Sequence, residues 1–251
     1  MKKEIRTLDS KNKIIQITTV DERWYIKDIL DDKECVIDKL CVPSVTWICS
    51  YYPKGISFYK WLAQKGWDEA ESIKEAAGDK GSKVHIGIDM LIKGETININ
   101  SKILNEEVTL EEYECLMSFS DWFKVTKPEI LRHEFVVFGD NEAGTVDLEC
   151  IINDEFWIVD FKTSQNVWVS HKLQVSAYKH IVQKQRVRSY KTGILQLGYK
   201  RNKKKYLFTE VEDCYSEFEA CRTIWGKETK NIEPKQKDYP IKLSLGIKKG
   251  V

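Results

Sequence analysis

The stretch of residues 144–162, GTVDLECIINDEFWIVDFK, constrains the fold more than any other part of this chain, because it sets charged side chains inside two apolar runs. The runs cover residues 145–152 and 156–163, and the turn-forming triplet Asn-Asp-Glu at 153–155 lies between them. Apolar runs of this length around such a turn predict a β-hairpin. A charged group within a hydrophobic strand is costly unless it is paired or binds a cation. The hairpin is therefore expected to carry a polar site.

Alternation of side chains along each strand decides which charges share a face of the hairpin. On the first strand, Asp147 points away from the face formed by the apolar residues at 146, 148, 150 and 152. On the second strand, Asp160 and Lys162 point the same way, opposite Trp157 and its neighbours on that face. An ordinary ion pair on the sheet surface would explain an acid and a lysine at this spacing. Only further residues at suitable positions can favour a functional site over that alternative.

The order G-T-V-D, a turn, D-F-K-T and then Q-V-S-A-Y resembles the PD-(D/E)XK nuclease superfamily. Within it, the sequence is most similar to the RecB-like branch, which includes CRISPR-associated RecB-like nucleases, mitochondrial genome-maintenance exonuclease and many phage exonucleases. The resemblance implies that Asp147 and Asp160 are catalytic acids that bind a metal together with the backbone carbonyl of Phe161. It assigns the role of the catalytic lysine to Lys162.

Three further positions belong to the same resemblance. Gln174 and Tyr178 match a helical Q-x-x-x-Y pair that binds substrate, with exposed polar decoration as the alternative. His85, four residues after Gly81, matches a helix-borne metal ligand, although a lone histidine beside an apolar stripe is often a hydrogen-bonded core residue. Glu134 lies where several members keep an acid, and a metal or supporting role competes with plain cross-strand pairing.

The function implied by this resemblance is that of a DNA nuclease dependent on Mg²⁺ or Mn²⁺, acting from single-stranded or duplex DNA ends in replication, recombination or repair. A recombination or replication protein would be a natural partner. The alternatives are a site-specific or structure-specific endonuclease and a catalytically inactive DNA-binding module on the same fold. Some relatives hold an iron–sulfur cluster through clustered C-terminal cysteines. This chain has only Cys214 and Cys221 near its end, so no iron–sulfur cluster is expected.

Composition limits the class of protein. With 251 residues and 42% hydrophobic content, the chain can bury a sizeable core. It has no run of eighteen apolar residues and no apolar segment after its basic start, so we expect an intracellular, cytoplasmic protein without a membrane span. Seven cysteines, an odd number, suit reduced thiols. A net charge of +1 gives no overall attraction to DNA. The densest local patch of positive charge, KRNKKK at 200–205, could bind phosphates or merely solvate a turn.

The patterns together predict an α/β fold with a central mixed β-sheet flanked by helices. The sheet is expected from the strands around residues 130–163 and 194–211, and the resemblance makes it a restriction-endonuclease-like core. We expect a β-hairpin extension at residues 1–40, a nuclease domain with an N-terminal helical cap at 41–226, and a loosely ordered lysine-rich tail at 227–251.

Capping signals predict where the helices begin and end. Ser44 and Ser57 are expected to begin the two helices of the cap. Thr109 opens a capping box and Pro128 follows the end of that helix. A further helix over residues 169–185 carries the Q-x-x-x-Y pair.

Glycines predict a break ahead of the histidine helix. Gly78 and Gly81 are expected to end one helix, after which Ser82 begins another that reaches position 93. His85 lies beside the apolar stripe of this second helix. Asp89, one turn further on, either orients the imidazole ring or is simply exposed.

Overall fold

The structure is a computed structural model that describes residues 4–9, 14–19, 21–230, 232–240 and 243–245. The strands in these residues are β1 (Glu4–Asp9), β2 (Ile14–Thr18), β3 (Arg23–Leu30), β4 (Val36–Pro43), β5 (Lys102–Ile103), β6 (Glu106–Glu107), β7 (Glu129–Phe138), β8 (Ala143–Ile152), β9 (Glu155–Lys162), β10 (Lys191–Leu197) and β11 (Tyr206–Glu210). The helices are α1 (Val45–Cys49), α2 (Ile56–Lys65), α3 (Trp67–Ile92), α4 (Leu110–Thr126), α5 (Val169–Gln185) and α6 (Tyr215–Thr229), with a short 3-10 helix at Lys235–Asp238.

A mixed five-stranded sheet forms the centre of the fold, in the order β11-β10-β9-β8-β7. Strands β9 and β10 are parallel because α5 crosses between them, and the other neighbouring pairs are antiparallel. Helices cover both faces of this sheet, which confirms the predicted α/β class with a central mixed sheet. The four N-terminal strands form a separate antiparallel sheet, β1-β2-β3-β4.

Two hydrophobic cores lie on opposite faces of the central sheet. On one face, Ile158 packs with Leu173 of α5 and with buried residues of α1 and α6. On the other, Val159 packs with Ile88 of α3 and with residues of α4. Both faces of β9 are therefore covered. Asp160 shares a face with Ile158 by strand alternation, so the polar face predicted for the hairpin is largely enclosed rather than on an open sheet surface.

The predicted hairpin is confirmed as β8 and β9, whose register pairs Leu148 with Val159. Asn153 and Asp154 form its turn with positive φ values of 50° and 63°. Two consecutive left-handed residues give a turn whose twist matches that of the flanking strands, and Asn and Asp tolerate this conformation best among residues other than glycine.

The helix that leads to the site is continuous, so the predicted break is wrong. Helix α3 passes through Gly78 and Gly81, and Ser82 donates its hydroxyl to the Gly78 carbonyl at 2.9 Å instead of starting a new helix. Each interior glycine costs about 1 kcal/mol relative to alanine. Burial of a side chain such as Ile88 stabilises the fold by about 1.5–3 kcal/mol. Helix α3 buries several apolar groups. Tertiary packing therefore outweighs the local signal.

The N-terminal region contains more strand than predicted. Beyond the expected hairpin, β1 pairs with β2, and the charged segment at 27–39 forms the second half of β3, a turn and the first half of β4. Asp31 allows this turn, since its Oδ1 accepts the backbone N–H groups of Lys33 at 2.9 Å and Cys35 at 2.8 Å. The predicted strand ends at Lys13 and Val20 lie outside the described residues.

The two helices of the predicted cap differ in their packing. Ser44 caps α1 as expected, because its Oγ accepts the Trp47 N–H at 3.0 Å, and the fully buried Ile48 makes α1 part of the core. Helix α2 instead begins after Gly55, so the prediction that Ser57 is its N-cap is wrong. None of the ten described residues of α2 is buried. Only α2 therefore projects from the core.

The remaining predicted elements largely agree with the structure. Thr109 and Glu112 form the predicted capping box of α4, and Lys127 ends that helix in the left-handed conformation. Helix α5 has the predicted bounds. Helix α6 continues to Thr229, so the segment predicted to be loose from 227 begins inside a helix. Among the described residues, no helix is long and apolar enough to cross a membrane. All seven cysteines are free thiols.

Candidate active site

Acidic side chains from two neighbouring strands meet at one end of the central sheet. The residues on either side of Glu134 in β7 pair with those on either side of Asp147 in β8, so the two acids lie opposite each other. Glu134 has φ 44°, in the left-handed region that residues other than glycine rarely adopt. Such a conformation within a strand disturbs the regular alternation of side chains, and it is frequent at functional sites.

His85 of α3 joins these two acids. Its Nδ1 lies 3.3 Å from Oε1 of Glu134 and 3.3 Å from Oδ1 of Asp147, and its Nε2 lies 3.2 Å from the carbonyl oxygen of Phe161. His85, Glu134 and Asp147 each offer one ligand atom, and these three atoms lie within 4.8 Å of one another. The structure thus brings together His85, Asp147 and the Phe161 carbonyl, and it adds Glu134 to them.

The Phe161 backbone fixes this geometry from the next strand. Its N–H donates to Oδ2 of Asp147 at 2.7 Å, while its carbonyl faces His85. Glu134, rather than Asp89, contacts the histidine ring. Asp89 lies instead 2.5 Å from the ammonium of Lys93 and 2.8 Å from Nδ1 of His133, so of its two predicted alternatives it does not take the one that orients the ring of His85.

The protonation of His85 is governed by its acidic neighbours. Burial acts to lower the pKa of His85, but Asp147 and Glu134 outweigh it and hold that pKa well above the usual value. Burial likewise acts to raise the pKa of Asp147, yet His85, Lys162 and the Phe161 N–H keep it below its ordinary value. The pKa of Glu134 is raised by burial and by the charge of Asp147. When protonated, His85 places positive charge between the two carboxylates.

Asp160 and Lys162 form the second part of the site. The Lys162 ammonium lies 2.5 Å from Oδ2 of Asp160, whose carboxylate is almost fully buried. Neither Asp160 oxygen accepts a well-aligned hydrogen bond from the part of the chain that the structure describes, so the contact with Lys162 is ionic rather than directional. Burial and the charge of Asp147 raise the pKa of Asp160 to about 6. The charges of Asp160 and Asp147 raise the pKa of Lys162 despite its burial.

The donor atoms fit a divalent cation that prefers oxygen and imidazole ligands. In an octahedron with metal–oxygen bonds of about 2.1 Å, ligand atoms are about 3 to 4.2 Å apart. The two distances of 3.3 Å from His85 to Glu134 and Asp147 fall in this range. Asp160 lies outside that group of three, but a buried carboxylate without directional partners is typical of an incomplete coordination sphere. These residues could therefore hold Mg²⁺ or Mn²⁺.

Gln174 and Tyr178 share one face of α5, as their spacing predicts, and Gln174 contacts the lysine. Lys162 donates to Oε1 of Gln174 at 3.3 Å, and the Gln174 amide donates to the Tyr178 hydroxyl at 3.3 Å. Tyr178 is only 3% exposed, and a Cβ at Gly144 would lie 2.4 Å from its ring. The glycine therefore makes room for the phenol. Tyr178 orients Gln174, and Gln174 is the residue of the pair that contacts Lys162.

Glu134 is the site residue that the sequence marked least clearly. Its position one strand before Asp147 was a signal, but the backbone conformation that lets it reach His85 leaves no pattern in the sequence. The lysine-rich loop at 200–205 is partly neutralised, since Lys200 lies 3.6 Å from Glu111 and Lys205 lies 3.0 Å from Glu114. That loop is therefore less basic than its composition indicates.

No family model matches the chain, and no curated protein has a matching sequence. Among solved structures, the chain is similar to a crystal structure from Eubacterium rectale described as a "Putative exonuclease", with a TM-score of 0.41 and 15% sequence identity. The similarity covers 63% of this chain and 69% of that one.

Proposed function

We propose that this chain is a divalent-metal-dependent DNA nuclease with the PD-(D/E)XK arrangement of the RecB-like branch, and that it degrades DNA from its ends. The observation that carries the proposal is the convergence of His85, Glu134 and Asp147 beside the Asp160–Lys162 ion pair. A surface ion pair would not bring a helix-borne histidine and a second acid to the same point. Such a concentration of buried charge is costly to fold and is typical of catalytic sites.

Each group has a role in phosphodiester hydrolysis. His85, Asp147, Asp160 and the Phe161 carbonyl would hold the ion, with Glu134 as a further ligand or a partner of His85. When bound, a divalent ion polarises the scissile phosphate and lowers the pKa of a coordinated water.

Lys162 would orient the attacking water and offset the negative charge that develops on the phosphate. Gln174 limits the motion of the Lys162 ammonium by accepting a hydrogen bond from it. The buried Tyr178 hydroxyl holds Gln174 in turn. Both α5 residues would therefore position the lysine, and Gln174 would be the one to contact substrate.

Exposed groups on and beside α2 support DNA as the substrate. Burial and the charges of Lys162 and of Lys54, just before α2, lower the pKa of His171 to about 3. Helix α2 exposes aromatic side chains, with Tyr59 54% exposed, and Trp67 follows at 68%. Lysines interspersed with exposed aromatic rings suit single-stranded DNA, whose bases stack on such rings.

Linear DNA should be shortened from its ends while covalently closed single-stranded circles persist. The reason is the resemblance to exonuclease branches in the histidine helix and the Q-x-x-x-Y pair. The test incubates end-labelled linear DNA and closed circles with Mg²⁺, Mn²⁺ or chelator, and follows products on denaturing gels. Rapid linearisation of the circles would favour the endonuclease alternative, and undiminished cleavage in excess chelator would end the metal hypothesis.

Binding of Mn²⁺ should strengthen as the pH rises from 6 to 8. His85 must lose its proton to bind the ion, and its pKa lies well above the usual value, while Asp160 retains part of its proton near pH 6. Each proton displaced improves the binding free energy by about 1.4 kcal/mol per pH unit until the pH passes the pKa concerned. The measurement is the Mn²⁺-induced rise in melting temperature at several pH values.

The variant His85→Ala provides the control for this pH dependence. It removes the proton that the ion displaces from the imidazole, so it should bind Mn²⁺ more weakly at pH 8 and with a flatter pH profile. A Mn²⁺-induced stabilisation that is equal at pH 6 and pH 8 in the unaltered protein would show that His85 is not a ligand.

A further inference from the structure

A polar cavity of about 460 Å³ opens beside the candidate site. It lies between the loop that follows β9, the first turn of α5, the end of β10 and the last residues of β11. Its lining includes Gln165, Asn166, Lys172, Gln196, Tyr199 and Arg201, and near the end of β11 also Glu210 and Glu212. A cavity of this size can enclose a ligand as large as one nucleotide.

Strand register fixes the position of this cavity relative to the catalytic lysine. Lys162 at the end of β9 pairs in parallel with Gln196 of β10. Paired residues on neighbouring strands point to the same face and lie about 5 Å apart. Gln196 therefore continues onto β10 the polar groups that Glu134, Asp147 and Lys162 contribute from the three preceding strands of the sheet. The cavity continues this series at the β10 end, opposite the side on which His85 joins the acids.

The cavity wall is held by internal hydrogen bonds. Gln196 is only 3% exposed, and its amide donates to the Ser164 carbonyl at 2.9 Å. The Gln165 side chain donates to the Gly198 carbonyl at 2.9 Å and accepts from the Lys200 N–H at 2.8 Å. These bonds tie the loop after β9 to the end of β10. A ligand would therefore meet a preformed wall, which lowers the entropic cost of binding.

The lining offers groups for each part of a nucleotide. Lys172 of α5 and Arg201 of the β10–β11 loop carry positive charge suited to a phosphate, and Arg201 is oriented by a 2.8 Å hydrogen bond from its Nη2 to Oδ1 of Asn166. The carboxylates of Glu210 and Glu212 would repel a free phosphate, but they can accept from the exocyclic amino group of a base. Tyr199 provides an aromatic surface. This mixture of cations, acids and amides favours a nucleotide over a simple anion.

We propose that this cavity binds one deoxynucleotide unit of the substrate, next to the phosphate that is cleaved, and that it prefers bases bearing an amino group. Naming DNA as the source of this ligand rests on the proposed function. The binding of a nucleotide rests on the cavity itself. Lys172 and Arg201 would hold the phosphate of that unit, and the acids near the end of β11 would contact its base.

The test measures binding of deoxycytidine monophosphate to the full chain by calorimetry in the presence of chelator, so that a metal-bound phosphate does not contribute. We expect Lys172→Ala to weaken binding by about tenfold or more, since a charge-assisted contact is lost. Lys184→Ala is the matched control, because Lys184 lies on the same helix but pairs with Asp140 at 2.7 Å, away from the cavity. Deoxycytidine, inorganic phosphate and thymidine monophosphate should each bind more weakly.

The proposal would be overturned by the absence of measurable binding to the unaltered protein, or by equal affinities for Lys172→Ala and Lys184→Ala. Equal affinities for phosphate and for the nucleotide would show that the cavity is only an anion site. That result would also overturn the proposal. Cleavage of linear DNA is measured with the same variants. A rise in KM for Lys172→Ala with little change in kcat would support the cavity as a substrate site.

The two proposals can fail separately. Suppose that the unaltered protein cleaves DNA, and that the Lys172 variant binds nucleotide and cleaves DNA like the control. The cavity proposal is then wrong, and the nuclease proposal remains. If no DNA is cleaved with either metal, yet nucleotide binding is lost in the Lys172 variant, the nuclease proposal is wrong and the cavity remains a nucleotide site.

Discussion

Replacing Lys162 by alanine is expected to lower the rate of DNA cleavage about a thousandfold while leaving DNA affinity nearly unchanged. One lysine among many cations adds little to the binding of DNA. In the proposed mechanism, however, it lies where negative charge develops during the reaction, and removal of such a group typically costs two to three orders of magnitude in kcat. Single-turnover cleavage and equilibrium binding to a labelled oligonucleotide measure the two effects.

The structure also predicts a loss of stability for Lys162→Ala. Because Asp160 is almost fully buried, the variant leaves a buried carboxylate without its cation, and breaking a buried pair costs about 3 kcal/mol or more. An exposed ion pair would cost at most about 1 kcal/mol. Added Mn²⁺ should restore part of this loss, since the ion would offset the carboxylate charge. Thermal melting with and without Mn²⁺ tests both statements.

Lys184→Ala serves again as the control, because it removes a lysine from an exposed ion pair on α5. It should melt within about 1 kcal/mol of the unaltered protein and cleave DNA normally. If Lys162→Ala, assayed at a temperature where it is folded, cleaved DNA at the rate of this control, Lys162 would be a structural ion-pair residue and the catalytic proposal would fail.

Asp147→Asn is expected to abolish both Mn²⁺-induced stabilisation and DNA cleavage. The substitution keeps the size of the side chain but removes the charge that faces His85 and accepts the Phe161 N–H. The same change should lower the pKa of His85, because Asp147 is the largest of the influences that raise it. Titration of the histidine ring protons by NMR in the presence of chelator measures this shift directly.

Asp147 also makes the stability of the fold depend on pH. The folded-state pKa of Asp147 is below its unfolded value, so its carboxylate stabilises the fold above the unfolded pKa and loses this effect as the pH falls through the folded pKa. The difference in stability between the unaltered protein and Asp147→Asn should therefore be larger at pH 7 than at pH 3. A difference that is the same at both pH values would contradict the assigned environment of Asp147.

Combining substitutions tests whether the site acts as one unit. The double variant Asp147→Asn with Lys162→Ala should be scarcely less active than either single variant, because each already disables the same step. Multiplicative losses would instead indicate that the acid and the lysine contribute independently. Melting curves for the three variants exclude unfolding as the cause.

Neighbouring residues alone were sufficient to specify several elements. The β8–β9 hairpin follows from two apolar runs around Asn153 and Asp154, which tolerate the left-handed turn. The capping box at Thr109 fixes the start of α4, and α5 has the bounds that its sequence predicts. These features depend on contacts between residues a few positions apart. Alternation along β8 and β9 also identified Asp147, Asp160 and Lys162 as charges within strands, and adjacent pairing brings them close.

Tertiary packing decided the rest of the site. His85 meets Glu134 across 49 positions of the chain and the Phe161 carbonyl across 76, distances at which no local pattern applies. The contacts require α3 to continue through its glycines, which happens because its apolar face is buried against α4 and the sheet. They also require the left-handed backbone of Glu134, a conformation unfavourable by itself. Only the combined packing of strands and helices compensates for such local costs, so a sequence read segment by segment does not reveal them.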